Sequence, residues 1–309
     1  MISGVVFLDK PEGQTSRQAV DSIRKIYSPL LALATGKRRI RLKAGHAGTL
    51  DPLATGMLPI LLGEATRFAD MGLQADKCYD VTIDLSLQTN TLDREGELEQ
   101  RYHQRVTLDQ IMPVLDHWHG EQQQRPPHFS AIHIDGKRAY TLARKGIVAD
   151  MPLRKIHIHA IECLHFDFPM LHLRVRCAKG TYIRSLARDI GIDLGVGGCV
   201  HSLRRITTGA WSENFMQSLT SIIKNPDVAL YPTEEWLRGW PDVSLDEDLG
   251  KRFVQGQRLP MDKQATGQVC VLFDGMLLGM GIIEERGDHV VLQPKNVLPS
   301  VQSFFVSRL

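Results

Sequence analysis

Apolar and polar residues alternate in several stretches with the period of two that is typical of a half-buried β-strand. The longest covers residues 79–87, where Val81, Ile83 and Leu85 fall on one face and acidic or hydroxyl side chains fall on the other. An unbroken apolar run at residues 5–8 indicates a buried strand. The pattern also predicts strands at residues 156–158 and 171–175.

Other stretches have helical spacing and recognisable start and stop signals. Thr15 can cap a helix that runs to about residue 27, and Thr107 with Gln110 forms a capping box for a helix through residue 118. Residues 182–194 place four apolar side chains on one stripe. Asp135-Gly136 predicts a hairpin turn, and Gly146 ends the short helix that follows it.

The chain divides into two predicted domains. Its 309 residues exceed the usual size of one hydrophobic core, and the composition changes between residues 224 and 248, where three prolines and two tryptophans cluster. The first domain, 1–243, mixes strands and helices, so we expect an α+β fold with a mostly antiparallel mixed sheet flanked by helices. The second, 244–309, carries short strands at 269–273, 277–283 and 290–292 and is expected to be small and β-rich.

Composition excludes several classes of protein. With 43% hydrophobic and 23% charged residues, the chain is neither disordered nor collagen-like. No apolar run reaches the length of a membrane helix, and residues 1–10 lack a basic leader, so we expect a cytoplasmic protein with no membrane partner. The five cysteines form no C-x-x-C pair, which argues against a disulfide framework and a structural zinc site.

Charge is distributed unevenly although the formal net charge is only +2. No acidic residue occurs between Ser22 and Leu50, and much of the positive charge there lies in a basic segment at residues 28–43. A solvated loop is the simpler interpretation, but a surface that faces phosphates is favoured. The basic residues of the whole stretch are Arg24, Lys25, Lys37, Arg38, Arg39, Arg41 and Lys43.

The most unusual segment is residues 45–56, which we call the acid loop. It contains three glycines and a proline, so it forms a tight and specific turn around Asp51. Pro52 keeps Asp51 out of helical geometry. An isolated Asp-Pro is ordinarily a cap or turn, but the apolar neighbours and the preceding basic stretch favour an acid held in a cleft.

A second polar segment, residues 178–186, places Arg184 in the first turn of a helix. The helix dipole disfavours a cation there, so Arg184 is either directed to solvent or held by a carboxylate. A bidentate carboxylate would suit it. The spacing of the sequence does not identify the partner.

Taken together, six segments resemble the TruB family of tRNA pseudouridine synthases, in the family's order and near its spacing. The likeness extends from Gly4 to about Arg205, and a looser one beyond Asp248 is to the family's PUA-like RNA-binding domain. The segments are 4–16, the acid loop, 77–79, 130–140, 179–184 and 203–205.

The resemblance implies a pseudouridine-synthase fold and isomerisation of a uridine in the T-loop of tRNA, conventionally position 55, with the base flipped out. No cofactor and no metal is implied. Asp51 would be the catalytic carboxylate, Tyr79 would stack on the base and move its proton, and Arg184 would pair with Asp51. The implied substrate-binding residues are His46, Tyr182, Leu203, Lys10 and Lys179.

The implied partner is the T-arm of tRNA, bound by a monomer that needs no protein partner. Phosphate contacts are expected from the basic segment, Lys137-Arg138, Arg204-Arg205 and the C-terminal domain. Three alternatives stay open: a non-catalytic RNA-binding or tRNA-folding factor, a guide-RNA-dependent pseudouridine synthase, and, more remotely, a hydrolase with paired acids. His133 stands where the family often has lysine.

Overall fold

A computed structural model describes residues 2–36, 41–130, 132–134, 136–147, 149–262 and 266–306. The strands are β1 (Gly4–Lys10), β2 (Ala44–His46), β3 (Thr55–Leu62), β4 (Lys77–Asp84), β5 (Leu87–Thr89), β6 (Leu98–Arg101), β7 (Gly120–Gln124), β8 (His133–Ile134), β9 (Lys137–Arg138), β10 (Arg154–Asp167), β11 (Met170–Cys177), β12 (Cys199–Thr208), β13 (Asp242–Ser244), β14 (Leu259–Met261), β15 (Gly267–Phe273), β16 (Met276–Arg286) and β17 (His289–Val297). The helices are α1 (Ser16–Thr35), α2 (Ala69–Gln74), α3 (Leu108–His117), α4 (Ala139–Ala143), α5 (Ile183–Leu194), α6 (Leu219–Lys224), α7 (Pro226–Ala229), α8 (Thr233–Trp236), α9 (Glu247–Val254) and α10 (Pro299–Val306), with 3-10 turns at Gly63–Phe68 and Glu213–Phe215.

An eight-stranded sheet forms the first part of the molecule. Its order is β1-β3-β12-β4-β11-β10-β7, and β2 pairs separately with β3. Only the short contact between β12 and β3 is parallel. A second, five-stranded sheet has the order β13-β15-β16-β17-β14. The α+β fold with a mostly antiparallel mixed sheet and a β-rich C-terminal region is therefore confirmed.

The two faces of the large sheet have different neighbours. The inner face carries Val81 and Leu203, which share a core with the apolar stripe of α5. The outer face carries Phe7 and Met57 of β1 and β3, and these join the core of the C-terminal sheet. Because side chains alternate along a strand, neighbouring residues of β4 and β12 lie on opposite faces.

Helix α1 is longer than the sequence predicts. It begins after the expected cap Thr15, continues past residue 27 and ends at Gly36 in a left-handed conformation. Pro29 lies inside it, and Leu31 is buried in the core, so packing extends the helix. The first residues of the basic segment are therefore helical, while residues 37–40 lie outside the described residues.

Two central strands were not predicted. β3 is buried on both faces, so it lacks alternation, and its Pro59 suggests a break. Pro59 nevertheless lies within the strand, opposite Phe7, and its carbonyl accepts a hydrogen bond from Ala47 N–H. β12 contains polar residues and two bulges, so its sequence lacks the alternation that would predict a strand. Of the predicted hairpin, β8 and β9 pair as expected, and Asp135 of its turn lies outside the described residues.

The C-terminal region attaches beside the end of β3. Ser300 donates its N–H and hydroxyl to the Glu64 carboxylate at 2.9 and 2.7 Å. Asn296 Nδ2 donates to the carbonyl of Arg67 at 3.1 Å. Among the helices in the described ranges, none has the length and apolarity needed to cross a membrane.

Candidate active site

The acid loop connects β2 to β3 at the inner face of the large sheet. Its apolar residues Leu50, Leu53 and Ala54 are buried, whereas the Asp51 side chain keeps 33% of its surface exposed. The loop turns tightly there, since Ala54 N–H donates to the Asp51 carbonyl at 3.1 Å. A partly accessible carboxylate thus stands on an otherwise buried turn.

Asp51 and Arg184 form an ion pair. Arg184 Nε lies 2.8 Å from Asp51 Oδ2, and the arginine side chain is only 7% exposed. The remaining guanidinium nitrogens donate to the carbonyls of Thr91 and Phe129, each at 2.9 Å. The sequence left two alternatives for Arg184, a side chain directed to solvent or one held by a carboxylate. The structure shows the second.

A second carboxylate lies behind Arg184. Asp93 Oδ2 is 3.5 Å from Arg184 NH1, and its side chain is 6% exposed. Its other oxygen accepts from Thr91 Oγ1 at 2.6 Å and from Glu95 N–H at 3.1 Å. Sequence reasoning missed Asp93. The Thr91-x-Asp93 turn was the only local signal, and it indicates a turn rather than a site.

Tyr79 and Leu203 lie on the inner face. In the pairing of β4 with β12, Tyr79 is opposite Arg205 and Leu203 is opposite Val81. Burial raises the pKa of the Tyr79 phenol, while the Arg205 charge and hydrogen bond lower it. Burial has the larger effect, so the phenol carries its proton at neutral pH.

Arg205 corrects an expectation from the sequence. It was expected to contact RNA phosphates, yet its side chain is 1% exposed. Its guanidinium donates to the carbonyls of Met57 at 2.7 Å, Gly48 at 3.1 Å and Thr49 at 3.4 Å. It therefore has no access to a bound nucleic acid.

Lys10 is also buried, and the structure does not place it as a substrate contact. Its Nζ donates to the carbonyls of Pro11 at 2.9 Å, Gln14 at 2.6 Å and Pro52 at 3.2 Å. These contacts use all three protons of an ammonium group. Burial lowers the pKa of Lys10 to about 8, although the nearby charge of Asp51 opposes the shift. Lys10 anchors the acid loop.

Further contacts fix the loop on either side of Asp51. Ser16 Oγ donates to the Leu50 carbonyl at 2.9 Å and accepts from Leu50 N–H at 2.8 Å. Gly13 N–H donates to the Pro52 carbonyl at 2.8 Å. The start of α1 and the segment before it therefore hold the acid loop in one conformation.

The other predicted substrate contacts differ in their exposure and in their partners. His46 ends β2, its Nδ1 is buried without a partner among the described residues, and burial together with Arg205 lowers its pKa. The half-buried Tyr182 exchanges two hydrogen bonds between its main chain and the Gln124 amide, at 2.9 and 3.2 Å. Lys179 is exposed and donates to the Gln74 side chain.

A cleft of about 370 Å³ opens beside the acid loop. Leu203, Leu53 and Thr55 contribute to its wall, together with the polar residues Asp80 and Arg204. Asp51 and Tyr79 do not line it, so the cleft adjoins the acid and does not contain it. No group of three or more His, Cys, Asp or Glu residues within the described ranges is arranged to hold a metal ion.

The chemistry available here is that of one accessible carboxylate. Arg184 keeps Asp51 oriented and compensates its charge, which suits a nucleophile or a group that stabilises a cationic sugar centre. Asp93 cannot act as a second acid on a substrate, because it is buried on the far side of Arg184. The arrangement therefore does not match paired-carboxylate hydrolysis.

Three family models match successive parts of the chain. They are described as TruB family pseudouridylate synthase (N terminal domain) over residues 36–183, tRNA pseudouridylate synthase B C-terminal domain over 184–238, and pseudouridine synthase II TruB, C-terminal, over 241–298. Together they cover every strand of both sheets except β1, which precedes the first matched residue.

Curated relatives match over nearly the whole length. A tRNA pseudouridine synthase B from Aromatoleum aromaticum is 37% identical over 97% of this chain and 94% of the relative. The protein of the same name from Pasteurella multocida is 36% identical over 96% and 95%.

Among solved structures, the chain resembles a Cbf5-Nop10-Gar1 complex with a TM-score of 0.74 and 27% identity, over 98% of this chain and 86% of that one. An H/ACA RNP bound to a substrate RNA containing 2'-deoxyuridine matches with a TM-score of 0.70 and 25% identity, over 96% and 84%. With relatives above one-third identity across both of its sheets, the chain belongs to the TruB family of pseudouridine synthases.

Proposed function

We propose that this protein converts uridine to pseudouridine at position 55 in the T-loop of tRNA. The observation that carries the proposal is the 2.8 Å pair between Asp51 and the buried Arg184, at the position where the family's catalytic carboxylate is expected. The names of the curated relatives support tRNA as the substrate, and a tRNA substrate is consistent with a cytoplasmic protein.

In the proposed reaction, Asp51 acts on the target nucleotide after the base has left the helical stack. The carboxylate either bonds to an electron-poor carbon or stabilises an oxocarbenium-like sugar while the N1–C1′ bond breaks. The uracil turns, a C5–C1′ bond forms, and any bond that Asp51 made to the substrate breaks again, which restores the free carboxylate. C5 gives up its proton and N1 acquires one, so atoms and electrons balance without a cofactor.

The surrounding residues divide the remaining work. Tyr79 lies on the inner face, where it can stack on the uracil and transfer its proton. Leu203 and Tyr182 supply apolar walls that retain the detached base. Extrusion costs a few kcal/mol, and a neutral His46 beside the acid loop is suited to fill the vacated stack. Lys179 is exposed and can contact the substrate.

Binding of the tRNA body is assigned to both predicted domains. Residues 1–243 would hold the T-arm, and residues 244–309 would act as a PUA-like RNA-binding domain. The protein would work as a monomer without a protein partner. We expect the T-arm to bind along Lys179 and the basic segment, because both are positively charged.

A guide-RNA-dependent synthase is the main alternative, because the similar solved structures include Cbf5 complexes. Identity to those chains is 27% and 25%, compared with 37% and 36% for the tRNA synthases. The closer sequence similarity favours the stand-alone enzyme. Activity on an isolated T-arm stem-loop, with no other RNA or protein, distinguishes the two.

The deciding experiment maps pseudouridine in a tRNA transcript treated with wild-type protein or with Asp51→Asn. We expect modification at position 55 by the wild type and none by the variant. Affinity for tRNA should stay within about tenfold, because the amide removes charge and keeps shape. Turnover by Asp51→Asn would reject the role of the acid, and release of free uracil would identify a hydrolase. A wild type that binds tRNA without modifying it would be a non-catalytic factor.

A further inference from the structure

Two buried arginines lie at the site, and they are compensated differently. Arg184 pairs with Asp51 and Asp93. Arg205 is the largest fully buried side chain of the described residues, and within those residues its guanidinium pairs with no carboxylate. A buried charge without a counter-ion is costly unless it is well hydrogen-bonded. Such a charge needs an explanation.

The contacts of Arg205 lie on both sides of Asp51. Gly48 and Thr49 precede the acid and Met57 follows it, and the carbonyls of all three accept from the guanidinium at 2.7–3.4 Å. One rigid planar group thereby joins the two ends of the acid loop. Lysine, with a single flexible ammonium, could not span the same acceptors.

Two glycines of the acid loop allow this approach. A Cβ on Gly48 would lie 3.4 Å from Arg205 NH1, and a Cβ on Gly56 would lie 2.3 Å from the Arg205 carbonyl oxygen. Both glycines have positive φ, at +136° and +92°. The acid loop therefore packs closely on Arg205 at two places, with Gly48 against the guanidinium and Gly56 against the main chain of Arg205.

The charge of Arg205 also reaches the reacting groups. Arg205 lies opposite Tyr79 in the sheet. Its charge lowers the pKa of Tyr79, where burial acts in the opposite direction. It also lowers the pKa of His46, where burial acts in the same direction. The other charged or titratable groups that act on Tyr79 are Asp51 and Cys177. Both of these raise the pKa of the phenol and so oppose Arg205, but within the described residues no carboxylate pairs with the guanidinium itself.

Resting on the proposed function, we propose that Arg205 is a positioning residue of the isomerisation, which fixes the backbone around Asp51 and presents a fixed positive charge to Tyr79. The Tyr79 phenol can give its own proton to N1 of the detached uracil and then take the proton that C5 loses, and between these two steps its oxygen carries a negative charge. The adjacent guanidinium stabilises that state without touching the substrate. Arg205 also lowers the pKa values of two other buried cations, Lys77 and Lys10.

The test measures single-turnover pseudouridine formation at saturating protein from pH 6 to 10, for wild type, Arg205→Lys, Arg205→Met and the control Arg174→Met. Arg174 pairs with Asp80, which is the neighbour of Tyr79 in β4 and therefore lies on the opposite face of the sheet. For Arg205→Met we expect a rate about 100-fold lower at neutral pH, partly recovered at high pH, with tRNA affinity within about threefold. For Arg205→Lys we expect a loss of about tenfold with the pH profile of the wild type.

The outcomes separate positioning from a merely structural role. A rate for Arg205→Lys equal to that of the wild type would overturn the positioning of the loop. A pH profile of Arg205→Met parallel to that of the wild type would overturn the action on Tyr79. If Arg205→Met does not fold, the lysine variant decides alone. A wild-type protein without activity at position 55 would refute the proposed function itself, whereas an active wild type with unaffected Arg205 variants refutes only this inference.

Discussion

At the scale of single residues, buried cations hold the backbone around the site. Lys77 Nζ donates to the carbonyls of Gly72, Leu73 and Ala75, at 2.8, 3.1 and 2.5 Å. These carbonyls end α2, where a positive charge is favoured. Burial lowers the pKa of Lys77 to about 8, with a smaller effect from Arg205. Lys10 and Arg205 use main-chain acceptors in the same way, so the positive charges of the interior fix loops.

Arg184→Ala is expected to destabilise the protein as well as inactivate it. The substitution leaves Asp93, 6% exposed, without its cation, and breaking a buried pair costs about 3 kcal/mol or more. Asp51 is 33% exposed, so its isolation costs far less. Urea unfolding of wild type and variant measures the difference in the free energy of unfolding.

A double variant identifies the source of that loss. In Arg184→Ala with Asp93→Asn, the buried charge is gone, so we expect part of the stability to return without any activity. The same free energy of unfolding for the single and double variants would show that the Asp93 charge is not what destabilises Arg184→Ala.

At the scale of elements, the sequence predicts those whose two faces differ. β4 alternates and α5 has one apolar stripe, so both were predicted. β3, buried on both faces, and β12, polar and bulged, were not. Asp51 could be identified because the loop chemistry around it is local. Asp93 and Arg205 could not, because their roles depend on contacts between distant segments and charged residues are usually exposed.

Gly56→Ala tests how closely β3 and β12 approach. Its Cβ would lie 2.3 Å from the Arg205 carbonyl oxygen and 2.9 Å from the Arg205 nitrogen. Main-chain atoms cannot swing aside, so the strands must separate. We expect a loss of about 1 to 3 kcal/mol from overpacking, in addition to the backbone strain of alanine at this φ. Chemical denaturation measures it.

Gly120→Ala is the matched control. Gly120 has a φ of +87°, close to the +92° of Gly56, but a Cβ there meets no atom within 4 Å. It therefore reports the strain of a left-handed residue alone, about 1 kcal/mol. Equal destabilisation of the two variants would show that the approach of the strands is not limiting.

At the scale of the whole molecule, the two cores divide chemistry from attachment. Asp51, Arg184 and Tyr79 belong to the inner face of the large sheet, while the C-terminal sheet joins the core of the outer face. The docking contacts of Glu64 and Arg67 follow β3 directly. We therefore expect the C-terminal region to affect tRNA affinity more than the rate of the bound complex.

Salt dependence of tRNA binding measures how many phosphates the whole surface holds. If the protein makes about five phosphate contacts, the logarithm of the association constant should fall against the logarithm of salt concentration with a slope of roughly −4.

Asp51→Asn should keep this slope, because the acid faces the nucleoside and no phosphate. Lys179→Met should reduce it by about one, since Lys179 is exposed and is expected to contact the substrate. Equilibrium binding across a salt series gives all three slopes. A wild-type slope near zero would mean that base contacts, and not the backbone, hold the tRNA, and an unchanged slope in Lys179→Met would remove that lysine from the interface.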